Sequence, residues 1–253
     1  RIALFALGFV VMGGIVGLST ALAYRARRAY VPVSGPDRNL EVYRQQLAPI
    51  RRLVFAAIVA LSGLFMGATL AAQWRTVMLW LNSEPFGAQD PQFGLDVSFF
   101  VFTLPFVRLV LSALMWSLSV ALIAALAVHY LYGAIAITPR FSMARPARVQ
   151  VAVLGAALSF LGAISLWLDR YSLLVDEGDR FAGAGYADVN ATMPAKAILA
   201  GIAVVVGVLF IVAAVRGMWR LPVVGVALMI VSSLVVGGIY PAIVQRFQVD
   251  PNA

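Results

Sequence analysis

What restricts this chain most is where its charges are absent. Six long stretches carry no Asp, Glu, Lys or Arg: residues 2–23, 53–73, 109–128, 149–168, 197–215 and 221–240. A helix needs about 20 apolar residues to cross the roughly 30 Å hydrocarbon core of a bilayer. Lipid offers no water to backbone N–H and C=O groups, so a crossing segment must be a helix or part of a closed barrel. These stretches are continuously apolar and lack the alternation of barrel strands. The expected fold class is all-α: a polytopic transmembrane helical bundle of six spans near residues 2–23, 53–73, 106–131, 149–168, 197–215 and 221–240. Pro222 stands at the start of the last span, where a missing N–H costs nothing.

Composition narrows the functions. Hydrophobic residues make up 62% of the 253 and charged residues 12%, about half the charged share of soluble domains. The chain has no cysteine, which excludes disulfides, thiolate metal sites and cysteine nucleophiles within it. Its one histidine, His129, excludes a cluster of histidine ligands. No metal or other cofactor is expected. The net charge of +8 raises nucleic acid or anionic lipid as partners, and the placement of the arginines decides between them.

Basic residues concentrate in alternate connections. Residues 25–52, 132–148 and 216–220 hold twelve basic and two acidic residues, whereas the remaining connections and ends hold seven basic and nine acidic ones. Arginine and lysine accumulate on the cytoplasmic side of membrane proteins. Loops 25–52, 132–148 and 216–220 are therefore read as cytoplasmic and the protein as multi-pass in a bacterial inner membrane. Topology and the lipid bilayer then account for the charge, and no nucleic-acid partner is called for. Tyr24, Tyr30, Tyr130, Tyr132 and Trp219 fall near one interface, and Trp74, Trp80, Trp167, Tyr171 and Tyr240 near the other, as an aromatic belt would. The chain begins at Arg1 and runs directly into an apolar stretch. It is expected to be a fragment of a longer protein, with a further span before it.

Two connections on the outer side carry most of the chemistry. In the first, residues 74–81 suit a short interfacial helix. Turns follow at Pro85, Gly87, Pro91 and Gly94, and residues 97–104 form an apolar run too short to span, expected to be interfacial or re-entrant up to a break at Pro105. The second holds Asp169, Asp176, Glu177, Asp179 and Asp188. Carboxylates among glycines can bind calcium, but Gly178 is misplaced for an EF-hand and no glutamate closes the loop, so a solvated acidic loop is the expectation. Asp90, Asp96, Asp169, Arg170, Asp188, Asn190 and Lys196 make up a candidate polar cluster at the outer rim. Structural ion pairs are expected within it, Asp169 with Arg170 or Lys196 with a neighbouring acid. Arg108 should snorkel outward or pair with Asp96 or Asp169. His129 is read as an interfacial histidine. Gly13 with Gly17, and Gly63 with Gly67, have the spacing that lets helices approach closely, here read as packing within one bundle.

The strings DPQFGLDVSFFVFTLPF, HYLYG, SLWLDRY, GYADVNATMPAK, WRLPVVGVAL and GGIYPAIVQRFQVDPNA resemble the bacterial uncharacterised protein family 0182, over essentially the whole chain. The resemblance implies about seven amino-terminal spans followed by a large extracytoplasmic domain, with QRFQVDPNA at the junction. It brings no activity and no site residues.

Three functions follow as expectations. The first is a membrane-anchor and scaffold domain that holds an extracytoplasmic domain, or protein partners in an envelope complex, at the membrane. It predicts an uncharged interior and a buried first outer loop. The second is a transport or lipid-handling protein, with a groove lined by Ser112, Ser117, Ser119, Ser159 or Ser165. Transport usually requires ionisable residues inside the membrane, and the six stretches hold none. The third, an extracytoplasmic enzyme, needs carboxylates converging at the outer rim, and sequence spacing brings no two of them together.

Overall fold

The computed structural model describes residues 1–26, 46, 48–136, 142–175, 185–244 and 246. Helices in chain order are α1 (Ile2–Ala26), α2 (Arg51–Ala72), α3 (Trp74–Leu81), α4 (Leu104–Leu131), α5 (Arg145–Ser172), α6 (Met193–Arg216), α7 (Arg220–Leu234) and α8 (Tyr240–Val244). Three π-turns, π1 (Phe99–Thr103), π2 (Asp188–Thr192) and π3 (Val235–Ile239), run directly into α4, α6 and α8. A two-residue hairpin, β1 (Ile135–Ala136) with β2 (Ser142–Met143), pairs antiparallel between α4 and α5. Among the described residues the fold is all-α apart from that hairpin.

Among the described residues, six helical segments are long and apolar enough to cross a membrane: Ile2–Ala26, Arg51–Ala72, Phe99–Leu131, Arg145–Ser172, Asp188–Arg216 and Arg220–Ile239. Only 11% to 33% of the most apolar window of each is buried within the chain. Phe65, Trp116, Val205 and Leu228 are each more than half exposed. In water such continuous apolar surface would drive aggregation; against lipid tails it is an ordinary outer surface. The helices extend past the apolar stretches by a turn at several ends, because the stretch marks the hydrocarbon and not the end of the hydrogen-bond ladder.

The π-turns have a local cause. Each is followed two residues later by a proline: Pro105, Pro194 and Pro241. Proline has no N–H to donate and its ring collides with the carbonyl four residues back. Widening the turn just before it moves the backbone bonds to the fifth residue: Leu104 N–H donates to Phe99 O, Met193 N–H to Asp188 O and Tyr240 N–H to Val235 O. Pro105 thus sits inside a helix that continues from residue 97. The run expected to be re-entrant is the first turns of the third span.

The chain divides into two compact units. One comprises Arg1–Trp74, Ala113–Leu158 and Phe210–Trp219; the other comprises Arg75–Ser112, Ser159–Leu209 and Arg220–Ala253. In the first, α1 and α2 pack along a glycine seam. A Cβ added to Gly8 would lie 2.7 Å from the Met66 carbonyl oxygen, and one added to Gly67 would lie 2.8 Å from that of Phe5. The small-residue spacing therefore serves contact between two helices of one chain. Met12, Val16, Met66, Ala121 and Ala124 form the core beside that seam. A smaller cluster of Ala134, Ile135 and Ala147 seats the hairpin. In the second unit, Phe160 fills the space that a side chain at Gly207 would need, and α8 lies against π2.

Candidate functional site

The candidate polar residues all fall in the second unit. Asp169, in the last turn of α5, is the centre of the set. It accepts from Arg108 in the first turns of α4, and Lys196 Nζ in the first turn of α6 lies 3.8 Å from its other oxygen. Ser172 joins them: its hydroxyl donates to the Asp169 carbonyl at 2.9 Å and accepts from Arg108 at 3.2 Å. These side chains are a quarter to two-fifths exposed, so the group ties three helices together at a partly wet level.

Arg170 does not pair with Asp169. Consecutive helix residues point about 100° apart, and Arg170 stacks instead on Trp167, 4.4 Å from the ring centroid, and on Phe93 at 5.9 Å. Cation–π attraction accompanies a guanidinium whose Nε is buried without a hydrogen bond. Tyr171 faces Phe93, Phe99 and Phe100 at ring separations of 4.6 to 6.4 Å. Trp80 stacks on Phe106 at 3.9 Å. These rings hold the first connection to the helix ends.

The remaining acids organise backbone. Asp96 accepts from the amides of Phe86, Gly87 and Ser98 at 2.8 to 3.1 Å. Hydrogen bonds from the Ser98 side chain and amide, then from Phe86, hold its carboxyl down at about 2. A carboxylate that weakly basic is a poor general base near neutral pH. Gly87, at φ 72°, and Gly94, at φ 65°, take the left-handed turns this loop requires. Asp90 accepts from the amides of Gln92 and Phe93. Asp188 accepts from the Gly185 amide, and Asn190 donates to the Tyr186 carbonyl. The structure therefore brings Asp169 and Lys196 together with Arg108, and gives Asp90, Asp96, Asp188 and Asn190 separate local tasks. Residues 81–89 of the first connection are exposed, in contrast to the burial expected of it; the packed part begins at Phe93. Among the described residues, no group of three or more His, Asp or Glu side chains is placed to hold a metal ion. Asp176, Glu177 and Asp179, weighed above for calcium, lie outside the described residues.

The first unit contains a polar relay that the sequence did not reveal. His129, read as an interfacial histidine, is fully buried within the protein. Gln150 Nε2 donates to the Ser19 carbonyl at 2.8 Å and contacts the Ser19 hydroxyl at 3.1 Å. A carbonyl can only accept, so that end of Gln150 is the amide nitrogen. Its Oε1 therefore faces His129 Nε2, 2.9 Å away, which must carry the proton. Ser19 in turn donates to the Ala121 carbonyl at 3.1 Å. The relay links α1, α4 and α5. A lone Gln within an apolar stretch was its one visible sign. Two of the serines expected to line a groove bond their own helix: Ser117 to Ala113 O and Ser119 to Met115 O.

Six membrane-length helices, lipid-compatible surfaces and charges held at helix ends define a multi-pass α-helical membrane protein. The chain matches the Uncharacterised protein family (UPF0182) over residues 1–253. It belongs to that family. It is 47% identical over its whole length to a UPF0182 protein of Arthrobacter sp. (strain FB24), covering 25% of that protein. A UPF0182 protein of Clavibacter sepedonicus is 45% identical over 99% of the chain, which covers 26% of it, and one of Rhodococcus erythropolis (strain PR4 / NBRC 100887) is 42% identical over the whole chain, also covering 26%. The chain thus spans about a quarter of the length of these relatives. No solved structure matches it.

Proposed function

We propose that this chain is the membrane-anchor and scaffold domain of a larger bacterial envelope protein, holding an extracytoplasmic domain or protein partners at the inner membrane. The supporting observation is the placement of charge. Every Asp, Glu, Lys or Arg within a described spanning helix lies within ten residues of one end of it, and Arg108, Asp169 and Lys196 satisfy one another. An ion-coupled transport path usually keeps ionisable groups at mid-membrane, and two of the serines named for a groove, Ser117 and Ser119, bond their own helix. In this reading the connections 25–52, 132–148 and 216–220 face the cytoplasm, and the loop held by Asp90 and Asp96 faces outward. The relatives' much greater length supplies material for the domain to be held.

The test replaces this 253-residue segment within the whole protein by six spans of an unrelated membrane protein of the same orientation. An anchor tolerates the exchange: the hybrid stays in the membrane after alkaline carbonate washing and complements a strain lacking the protein. A hybrid that is present and membrane-bound but fails to complement overturns the anchor reading.

A further inference from the structure

We infer that the first unit holds a structural anionic phospholipid in the cavity between α1, α2 and the end of α4. The cavity has a volume of about 460 Å³, within the roughly 300–1,000 Å³ usual for ligand pockets. Its walls are apolar, with Phe55, Ile58, Val128 and Leu131 among them. Its rim carries three guanidinium groups, Arg25 from the last turn of α1 and Arg51 with Arg52 from the first turn of α2. All three arginines are exposed, and none is in an ion pair among the described residues. Arg51 leans over the Tyr24 ring, 5.9 Å from its centroid, and Tyr24 meets Tyr132 edge-on at 5.5 Å.

This amphipathic division matches one kind of molecule. A free anion needs the charges but not the apolar slot, and a neutral lipid needs the slot but not three arginines. A phospholipid with net negative charge uses both. Arg51 and Arg52 add side-chain charge to a helix N-terminus, where the backbone dipole already favours an anion, and Ile50 supplies no side-chain cap there. Basic pockets between spanning helices bind anionic head groups on this principle. The phosphate is assigned to Arg51 and Arg52, with Arg25 opposite, and one acyl chain to the slot past Phe55 and Ile58.

The inference is tested on the whole protein by native mass spectrometry after incubation with phosphatidylglycerol or phosphatidylcholine in mixed micelles. The parent should retain phosphatidylglycerol in preference to phosphatidylcholine. Each arginine near an anionic lipid is worth roughly fivefold in binding, so Arg51→Gln with Arg52→Gln should lower retention by roughly twenty-five-fold. Arg216→Gln with Arg220→Gln removes as much charge from another connection and should leave retention within twofold or so of the parent. Equal retention of the two lipids, or an equal loss in both arginine pairs, overturns the inference, because general surface charge then explains the binding. Displacement of phosphatidylglycerol by inorganic phosphate overturns it too, since the head group alone would be bound. Should the first pair fail to fold, Ile58→Trp fills the slot with every charge in place. Loss of phosphatidylglycerol there supports the inference, and parental retention refutes it.

Discussion

The glycine seam between α1 and α2 can be broken one methyl group at a time, with a control on the same helix. A Cβ added at Gly8 would stand 2.7 Å from the Met66 carbonyl oxygen and 2.9 Å from its carbon; one added at Gly67 would stand 2.8 Å from the Phe5 oxygen and 3.0 Å from its ring. Ordinary contact begins near 3.4 Å, so the helices must part by roughly 0.6 Å at either site. The obstacle is helix backbone, which cannot swing aside as a side chain can. A radial gap of about 0.5–1 Å forfeits about a quarter to a half of each atom pair's dispersion energy, repeated along the seam. Overpacked interiors lose about 1–3 kcal/mol, and that is the expected cost of Gly8→Ala or Gly67→Ala. Gly14, also on α1, has nothing within 4 Å of an added Cβ, so Gly14→Ala should stay within about 0.5 kcal/mol of the parent. Gly8 and Gly67 meet across the seam, with the Gly67 Cα 3.1 Å from the added Cβ of Gly8. The double variant should therefore lose less than the sum of the two, because the first methyl has already parted the helices. The assay is the fraction of whole protein that remains monodisperse in mild detergent after graded heating. An equal shift for Gly14→Ala and Gly67→Ala, or no shift at Gly8 and Gly67, would refute the seam.

Three further outcomes are expected. Asp169→Asn leaves Arg108 and Lys196 without their shared carboxylate; the group is partly buried, so the loss falls between the values for exposed and buried pairs, at about 1–3 kcal/mol, and adding Lys196→Met should recover part of it in the same heating assay. Asp96 has a folded value of about 2, below its ordinary 3.8, so its contribution is present above the ordinary value and is lost as pH falls through about 2. Exchange of the Phe86 and Gly87 amides, corrected for the intrinsic pH dependence, should stay level from neutral pH to about pH 4 and rise toward pH 2; in Asp96→Ala it should already be fast at neutral pH. In a whole protein freed of any cysteine outside this cysteine-less chain, single thiols report sidedness: Ala88→Cys should react with a membrane-impermeant reagent on intact cells and Ala48→Cys only after the membrane is breached, and the reverse pattern would invert the orientation.

How much of this was legible depended on which physical rule each residue answers to. The spans were readable because hydrocarbon excludes charge, and that rule acts on composition alone. The Arg108–Asp169 pair was readable as one of three options, beside outward snorkelling and a pair with Asp96, since ionisable groups at the edge of an apolar stretch need water or a partner. Its third member, Lys196, was expected to find a neighbouring acid, and Asp169 proved to be that acid. The relay was not readable. Ser19 and Gln150 are 131 residues apart, and nothing in either segment says that their helices meet. His129 adjoins aromatic residues and a loop, which suggested an interface; burial depended on a partner hydrogen bond that only packing reveals.

Pro105 was readable as a break but not as what it, Pro194 and Pro241 are, because apolar composition carries no record of hydrogen-bond register. The register matters for the ion group. Phe100 and Arg108 are eight residues apart, which on an uninterrupted α-helix places them about 80° apart in projection. The extra residue taken up by π1 reduces that to an effective seven, or about 20°. Both side chains then reach the last turn of α5: Phe100 comes within 6.4 Å of the Tyr171 ring centroid, and Arg108 bonds Asp169. Lys196 follows π2 and Pro194 in the same way and reaches the same carboxylate. A proline just inside a span therefore ends nothing here. It selects a wide turn, and the wide turn decides which residues upstream share a face with the charge downstream.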